Sequence, residues 1–237
     1  MDYDPRSEPH NLAHDPGTCL VVPRPIGWIT TISPAGVINL APYSFFNIIS
    51  TKPPFVLFSS STRKHSQRNA EASGEFVFNL ATYDLRTEMN ITGSDHTEEI
   101  SEADLAGLEM VPCRKVRPPR VARSPIALEC IYNKTVDLVP SSGKTSANSL
   151  IIGEVVNVHI DDSVIVNGNI DMARIRPLAR LGYMDYTSVD NIFTMHRVPA
   201  RKAMPQRHDG PQRSSSFRFA LGAAGRCVDP RAEEVMK

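Results

Sequence analysis

The sequence is poor in cysteine and contains no long apolar run. Its four cysteines, Cys19, Cys113, Cys130 and Cys227, are far apart in a chain of 237 residues. They form no CxxC or zinc pattern, and such scattered cysteines predict reduced thiols in an intracellular protein. No run of about 18 apolar residues occurs, and residues 1–16 form a polar leader, which argues against a transmembrane helix and a secretory signal peptide. We therefore expect a cytoplasmic protein that does not enter membranes.

An excess of charge is also missing from the chain as a whole, but not from its C-terminal part. Lys and Arg number 26, as do Asp and Glu, so composition does not indicate a nucleic-acid partner. From Met195 onward nine basic residues outnumber four acidic ones, which makes this part +5 and the remainder −5. We predict one domain over residues 17–197 and a basic, disordered, solvated tail over residues 198–237.

The arrangement of apolar residues indicates a mainly β fold. Residues 26–33 and 37–41 flank Pro34-Ala35-Gly36 and predict a hairpin. Further strands are predicted at 55–60, 75–80, 126–139 and 150–160, and in the last of these Val156, Val158 and Ile160 would form the dry face opposite Asn157 and His159. Because no GxGxxG follows a strand, a Greek-key antiparallel barrel with peripheral helices is favoured over a doubly wound sheet.

Three helices are predicted around this barrel. The first covers residues 63–73, with Thr62 as its cap and Gly74 as its end. The second runs from Thr82 to about residue 90 and is ended by Gly93, and a short one begins at Ser101.

Hydroxyl and basic side chains cluster where the third strand leads into the first helix. This segment contains Ser59, Ser60, Ser61, Thr62, Arg63, Lys64, Ser66 and Arg68. Free N–H groups and the helix dipole would add to its attraction for an anion such as a phosphate. Taken alone, the cluster fits an ordinary capped surface helix with a solvated basic face better than an anion site. Gly143-Lys144-Thr145 imitates the end of a P-loop, but Leu138 replaces the required glycine, so we interpret this segment as a loop.

Four segments in consistent order resemble the flavin reductase-like family, the FMN-binding split barrels that include flavoredoxin. They are RPIGWITT (24–31), NLAPYSFFN (39–47), PPFVLFSSSTRKHSQRN (53–69) and ARLGYMDYTSVDNIFTMHR (179–197). One departure is His65-Ser66, where family members often have Asp-Thr. The resemblance implies a mainly β split barrel, bound FMN and a homodimer.

The resemblance also implies which residues hold FMN. The phosphate would be bound by Ser60, Ser61, Lys64, Ser66 and Arg68. The ring edge or ribityl chain would be bound by Thr30, Thr31, Ser44 and Asn47, with Ala41 and Phe45 nearby. Trp28, Tyr43, Phe45, Phe46 and Tyr186 would serve as core or as walls of the ligand site, with Arg180 and Gly182 next to Tyr186. No metal site is expected.

The activity implied is hydride transfer from NADH or NADPH to flavin N5, followed by electron delivery to oxygen, to a flavin-using monooxygenase partner or to a small-molecule substrate. No acid or base is strictly required, so no catalytic residue is assigned. His159 is either a surface histidine or a residue near the flavin. Two alternatives stay open: an FMN enzyme that acts on a specific small molecule without NAD(P)H, and a non-enzymatic flavin- or haem-binding module.

Overall fold

The computed structural model describes residues 1–143 and 146–197, and all the helices and strands described lie in one compact unit, Met1–Phe193. The predicted tail with Cys227, and Lys144 and Thr145 of the Ser-rich turn, lie outside the described residues. Residues 1–16 form turns but neither helix nor strand. Among the described helices, none has the length and apolar composition needed to cross a bilayer.

Strands account for most of the regular structure in the described residues, which confirms the mainly β prediction. They are β1 Arg24–Pro25, β2 Gly27–Ile32, β3 Ile38–Tyr43, β4 Phe46–Thr51, β5 Pro54–Ser61, β6 Glu75–Leu80, β7 Met110–Val111, β8 Arg120–Val121, β9 Ile126–Asp137, β10 Asn148–Ile160, β11 Ile165–Val166, β12 Asn169–Ile170, β13 Leu178–Arg180 and β14 Tyr186–Ser188.

The helices are short and peripheral. They are α1 His65–Ser73, α2 Arg86–Ile91, α3 Glu102–Leu105 and α4 Met172–Ile175, with 3-10 turns at Gly17–Cys19, Tyr83–Leu85 and Asp162–Val164. Helix α1 packs on β2, and α3 packs on β3.

The main sheet has seven antiparallel strands in the order β3-β2-β6-β9-β10-β5-β4. Strands β3 and β4 follow each other in the chain but form the two edges of this sheet, so backbone hydrogen bonds do not close the barrel between them. This arrangement agrees with the expected split barrel. The connection from β3 to β4 is fixed to β5, because the Ser59 N–H donates to the Phe45 carbonyl at 2.8 Å. A small sheet, β1-β13-β14, lies apart from the main one.

Strand β2 is covered on both faces by apolar side chains. Ile29 belongs to one cluster, in which the rings of Phe46 and Phe78 stack with centroids 4.5 Å apart. Trp28 belongs to the other cluster, and its indole N–H donates to Thr92 Oγ1 at 2.9 Å. A Cβ at Gly27 would lie 2.4 Å from Phe46 Cδ2, so the ring packs directly against the β2 backbone.

The prediction that Thr62 caps the first helix is wrong. Strand β5 continues through Ser61, which pairs with Asn148, and the Thr62 N–H still donates to the Ala147 carbonyl at 2.8 Å. The chain then changes direction through two residues with positive φ, Thr62 at 58° and Arg63 at 50°. Helix α1 therefore begins later, at His65, and its N-cap is Lys64 without a side-chain capping bond.

Of the other two predicted helix starts, the one at Ser101 is confirmed and the one at Thr82 is not. Thr82 precedes a 3-10 turn that leads into α2, instead of a continuous α-helix, and its side chain makes no capping bond. Ser101 caps α3 as predicted, because its Oγ accepts a hydrogen bond from the Asp104 N–H at 3.3 Å.

The predicted dry face of β10 is wrong. Odd-numbered side chains face inward along β10, so Val156 and Val158 are 38% and 52% exposed while Val155 is buried. The Asn157 amide is instead held by the buried Glu129 carboxylate, with 2.7 Å between Nδ2 and Oε1.

Candidate functional site

A cavity of about 710 Å³ lies between the end of β3, the β5–α1 turn and the segment 92–96. Its volume is in the range of small-molecule and cofactor sites, about 300–1,000 Å³. Seven of the predicted cofactor-binding residues line it: Ala41, Ser44, Phe45, Ser61, Lys64, Ser66 and Arg68. Asn148 at the start of β10 lies on the same wall. Segments separated by up to about a hundred residues in the sequence therefore meet at this cavity.

The N-terminus of α1 forms the cationic side of this cavity. Lys64, His65 and Ser66 all line the cavity. Within the described residues, the N–H groups of His65 and Ser66 make no hydrogen bond. Unpaired N–H groups at a helix start attract anions, and the side chains of Lys64 and Arg68 add positive charge.

Acidic residues of the segment after α2 pair with these cations. Lys64 Nζ lies 2.8 Å from Asp95 Oδ1, and Arg68 forms an ion pair with Glu98. The hydrogen bond from Lys64 lowers the pKa of the Asp95 carboxyl below its usual value. All four side chains are at least 46% exposed, so the pairs are weak and an incoming anion can exchange with the carboxylates.

A buried layer of polar side chains supports the cavity from below. Asn39 donates through Nδ2 to Ser66 Oγ at 2.8 Å and to Thr31 Oγ1 at 3.3 Å. Burial raises the pKa of the Tyr43 phenol, which lies beside the hydroxyls of Ser66 and Ser60. Ser60 Oγ is buried and has no hydrogen-bond partner within the described residues.

The Thr30 and Thr31 side chains, which the resemblance places at the ring edge or ribityl chain of the flavin, do not line the cavity. Both residues are fully buried on β2, which lies between β3 and β6 and has both faces covered. Thr30 Oγ1 accepts a hydrogen bond from Asn79 Nδ2 at 2.8 Å. Thr31 lies one hydrogen bond behind Asn39, which lines the cavity, so its effect on a ligand would be indirect.

Three other predicted residues also lie off the cavity wall. Ser60 is buried beneath it, and Asn47 is exposed on β4, where its Oδ1 accepts a hydrogen bond from the Ile48 N–H at 2.8 Å. His159 stands at the opposite end of β10 from Asn148, about 36 Å away along an extended strand. Burial lowers the pKa of His159, which favours its neutral form.

Sequence reasoning did not assign several wall residues. Gly93, Ser94, Asp95 and His96 follow α2 and line the cavity, whereas the sequence pattern predicts only a helix end at Gly93. Glu102 is buried on the same wall, and its Oε2 accepts a hydrogen bond from the Leu40 N–H at 3.0 Å, at the edge of β3. The capping pattern at residue 101 indicated the helix but not the strand that it contacts.

A second cavity, of about 350 Å³, adjoins the first. The two share Pro42, Ser44, Gly93 and Ser94 as wall residues. Arg180 and Tyr186 also line the second cavity, so the fourth family-like segment contributes to this region.

The sequence profile of the flavin reductase-like domain matches residues 19–178, most of the described chain. The chain belongs to the flavin reductase-like domain family. An uncharacterized protein of Halalkalibacterium halodurans is 35% identical over 184 residues, which cover 75% of this chain and 87% of that protein.

Solved structures of similar proteins support this assignment. Nitrilotriacetate monooxygenase component B from Bacillus cereus is 28% identical, with a TM-score of 0.76 over 82% of this chain and 98% of that one. The 2-nitrobenzoate 2-nitroreductase of Pseudomonas fluorescens is 29% identical, with a TM-score of 0.67 over 80% and 91% of the two chains. Flavoredoxin of Desulfovibrio vulgaris, 19% identical with a TM-score of 0.68 over 79% and 97%, shares the fold. Together these similarities support a flavin-related oxidoreductase.

The residues of this flavin reductase-like protein fit a flavin nucleotide. Free N–H groups at the start of α1 and two cations suit a phosphate on one side of the cavity. On the β3–β4 side, Ser44 offers a hydroxyl, and Phe45 is 49% exposed and offers an aromatic face.

Proposed function

We propose that this protein binds FMN in the larger cavity and works as an NAD(P)H-dependent flavin reductase. The observation that supports this most strongly is that the free helix start of α1, Lys64, Ser66 and Arg68 border one cavity with Ser44 and Phe45 of the β3–β4 connection. A cationic side and an adjoining half-apolar side match a ligand with a phosphate at one end and an aromatic ring at the other.

The chain's part in such a reaction is to bind and orient. Lys64 and Arg68 neutralise the phosphate, and the N–H groups of His65 and Ser66 donate to it. Asn39 fixes the Ser66 hydroxyl, and Phe45 supplies an apolar contact for the ring. When bound, FMN supplies the hydride acceptor, its N5 atom, for the nicotinamide of NADH or NADPH. No side chain has to transfer a proton during this hydride transfer, so we assign no general acid or base.

Consumption of NADH and NADPH by the purified protein with added FMN tests this function. We expect FMN-dependent loss of nicotinamide absorbance that stays low when FMN is left out. If FMN binds but neither nicotinamide is consumed, the reductase proposal is wrong, and a specific small-molecule enzyme or a non-enzymatic flavin-binding module replaces it. If no flavin binds, the cofactor assignment itself is wrong.

A second candidate is an FMN enzyme that acts directly on a specific small molecule. It is favoured by the similarity to the 2-nitrobenzoate 2-nitroreductase and by the second cavity beside the first. Anaerobic reduction of the protein-bound flavin with dithionite, followed by addition of a nitroaromatic acid, separates the two. Stoichiometric reoxidation of the dithionite-reduced flavin by that acid, together with failure of NADH and NADPH to reduce the oxidised flavin, favours the second candidate.

We further propose that two copies of the chain form a homodimer in the cytoplasm and that a flavin-using monooxygenase receives the reduced flavin. The similarity to a monooxygenase component B supports such a partner. Strand β4 is an edge of the main sheet, and Ile48 and Ile49 on it are 50% and 48% exposed. Exposed apolar side chains on an unpaired edge favour association. Light scattering should give twice the chain mass for the wild type and a smaller mass for Ile49→Asp.

A further inference from the structure

Two arginines stand directly opposite each other in the small sheet. Arg24 of β1 is paired with Arg180 of β13, and Arg180 is paired with Tyr186 of β14. Side chains of directly paired residues lie on the same face, with Cβ atoms about 4.5–5.5 Å apart. Arg24, Arg180 and Tyr186 therefore form a row across one face of the three strands.

This row concentrates positive charge without a carboxylate. Within residues 1–143 and 146–197, neither Arg24 nor Arg180 forms a salt bridge, and each guanidinium lies over an aromatic ring. Arg180 Cζ is 4.3 Å from the centroid of Tyr186, and Arg24 Cζ is 5.6 Å from that of Phe45. Like charges directly opposite each other in a sheet are destabilising, so packing alone does not account for the pair.

Arg24 is also buried and incompletely bonded. It is 7% exposed, and it donates from a terminal nitrogen to the Thr18 carbonyl. Its Nε is buried and has no hydrogen-bond partner among the described residues. A buried guanidinium normally has its donors satisfied, because an unpaired charged donor is costly to remove from water.

The row adjoins both cavities. Arg180 and Tyr186 line the cavity of about 350 Å³, and the ring under Arg24, that of Phe45, lines the larger one. Ser44 is on the wall of both. A molecule seated in the smaller cavity would therefore lie next to the proposed flavin site and within the field of two guanidinium groups.

We propose that Arg180, with the buried charge of Arg24 opposite it, binds the oxyanion of the second reactant, the molecule that exchanges electrons with the flavin. This inference rests on the proposed function. A planar guanidinium matches an oxyanion with two parallel hydrogen bonds, and the anion would neutralise the facing charges. The oxyanion is either the pyrophosphate of a nicotinamide dinucleotide or the carboxylate of a small substrate.

Calorimetric titration of the FMN-saturated protein tests this site. The probes are ADP-ribose, which has the pyrophosphate, benzoate, which has the carboxylate, and neutral benzamide. We expect the wild type to bind one of the two anions. If that anion is benzoate, benzamide should bind at least tenfold more weakly than benzoate. Arg180→Gln should lower the affinity for that anion about tenfold or more, and Arg180→Lys should lower it less. In both variants the affinity for FMN should change less than twofold. Arg117→Gln is the control, because Arg117 is exposed, pairs with Glu75 at 2.9 Å and lines neither of these two cavities.

The outcomes are distinguishable from failure of the proposed function. If the wild type binds FMN but neither anion, or if Arg180→Gln leaves anion affinity unchanged, the site is wrong while the flavin assignment stands. If Arg180→Gln weakens FMN as much as the anion, the arginines belong to the flavin site and the inference is overturned. If the wild type binds no FMN, the proposed function fails first. Preference for ADP-ribose identifies a dinucleotide, and preference for benzoate identifies a small acid.

Discussion

Removal of the two cationic side chains at the start of α1 should weaken the binding of FMN far more than the binding of riboflavin, which lacks the phosphate. The perturbation is Lys64→Ala combined with Arg68→Ala. A charge-assisted hydrogen bond contributes about 1.5–3 kcal/mol. These side chains are 47% and 46% exposed, and each gives up a surface pair, with Asp95 or Glu98, when the phosphate arrives. Such a pair is worth about 0–1 kcal/mol, so the net contribution is about 1 kcal/mol for each cation. The double variant should therefore lose about 30-fold in FMN affinity.

The assay is equilibrium titration of both flavins, followed by quenching of their fluorescence. Riboflavin should bind the double variant within about twofold of the wild type, since it makes no phosphate contact. Arg117→Ala removes an exposed, ion-paired cation that lines neither cavity, and should leave both affinities unchanged. An equal loss for FMN and riboflavin would refute the reasoning, because the cations would then act on the fold or on the ring and not on the phosphate.

Three further predictions concern the acids beside the site and the fold that supports it. Asp95→Asn combined with Glu98→Gln should raise the affinity for FMN about fivefold at low salt and less at high salt. The reason is that two competing surface ion pairs of about 0.5 kcal/mol each are lost. Weaker binding in the FMN titration would contradict this. Gly27→Ala should lower the free energy of unfolding in urea by about 1–3 kcal/mol, because the new Cβ would lie 2.4 Å from Phe46; an unchanged midpoint would show that the ring can move aside. Glu129→Gln should destabilise the fold at neutral pH. Burial raises the pKa of Glu129, but two backbone N–H groups and an amide hold it below the usual 4.5. The difference in free energy of unfolding between the wild type and Glu129→Gln should be complete at a pH above the usual pKa. It should disappear as the pH falls through the lowered pKa of Glu129 in the folded protein. A pH-independent difference in urea unfolding would contradict this account.

The strand framework was predictable because apolar periodicity and Pro or Gly breaks are local signals. The hairpin around Gly36 and the long strands β9 and β10 follow from such patterns. Strand β4 was missed, since its exposed isoleucines on an edge do not alternate as a half-buried strand does. The inward face of β10 was predicted wrongly because valines occupy the exposed positions 156 and 158, while the polar Asn157 bonds the buried Glu129, a partner on another strand.

From the residues alone the site was predictable only in the part that one segment supplies, and the resemblance added Ala41, Ser44 and Phe45 from another segment. Lys64, Ser66 and Arg68 come from a single turn and helix start, so their proximity is visible in the sequence. Thr30 and Thr31 were placed at the ligand by resemblance, but β2 is covered on both faces, and burial of this kind depends on strand order. The pairing of Arg24 with Arg180 joins residues 156 positions apart, so only the folded chain reveals it.

Titration of the purified wild-type chain with FMN and with riboflavin tests the central claim most directly. The account predicts saturable binding of one FMN per chain, with FMN bound more tightly than riboflavin because its phosphate meets the start of α1. Absence of saturable binding, or equal affinity for the two flavins, would contradict it.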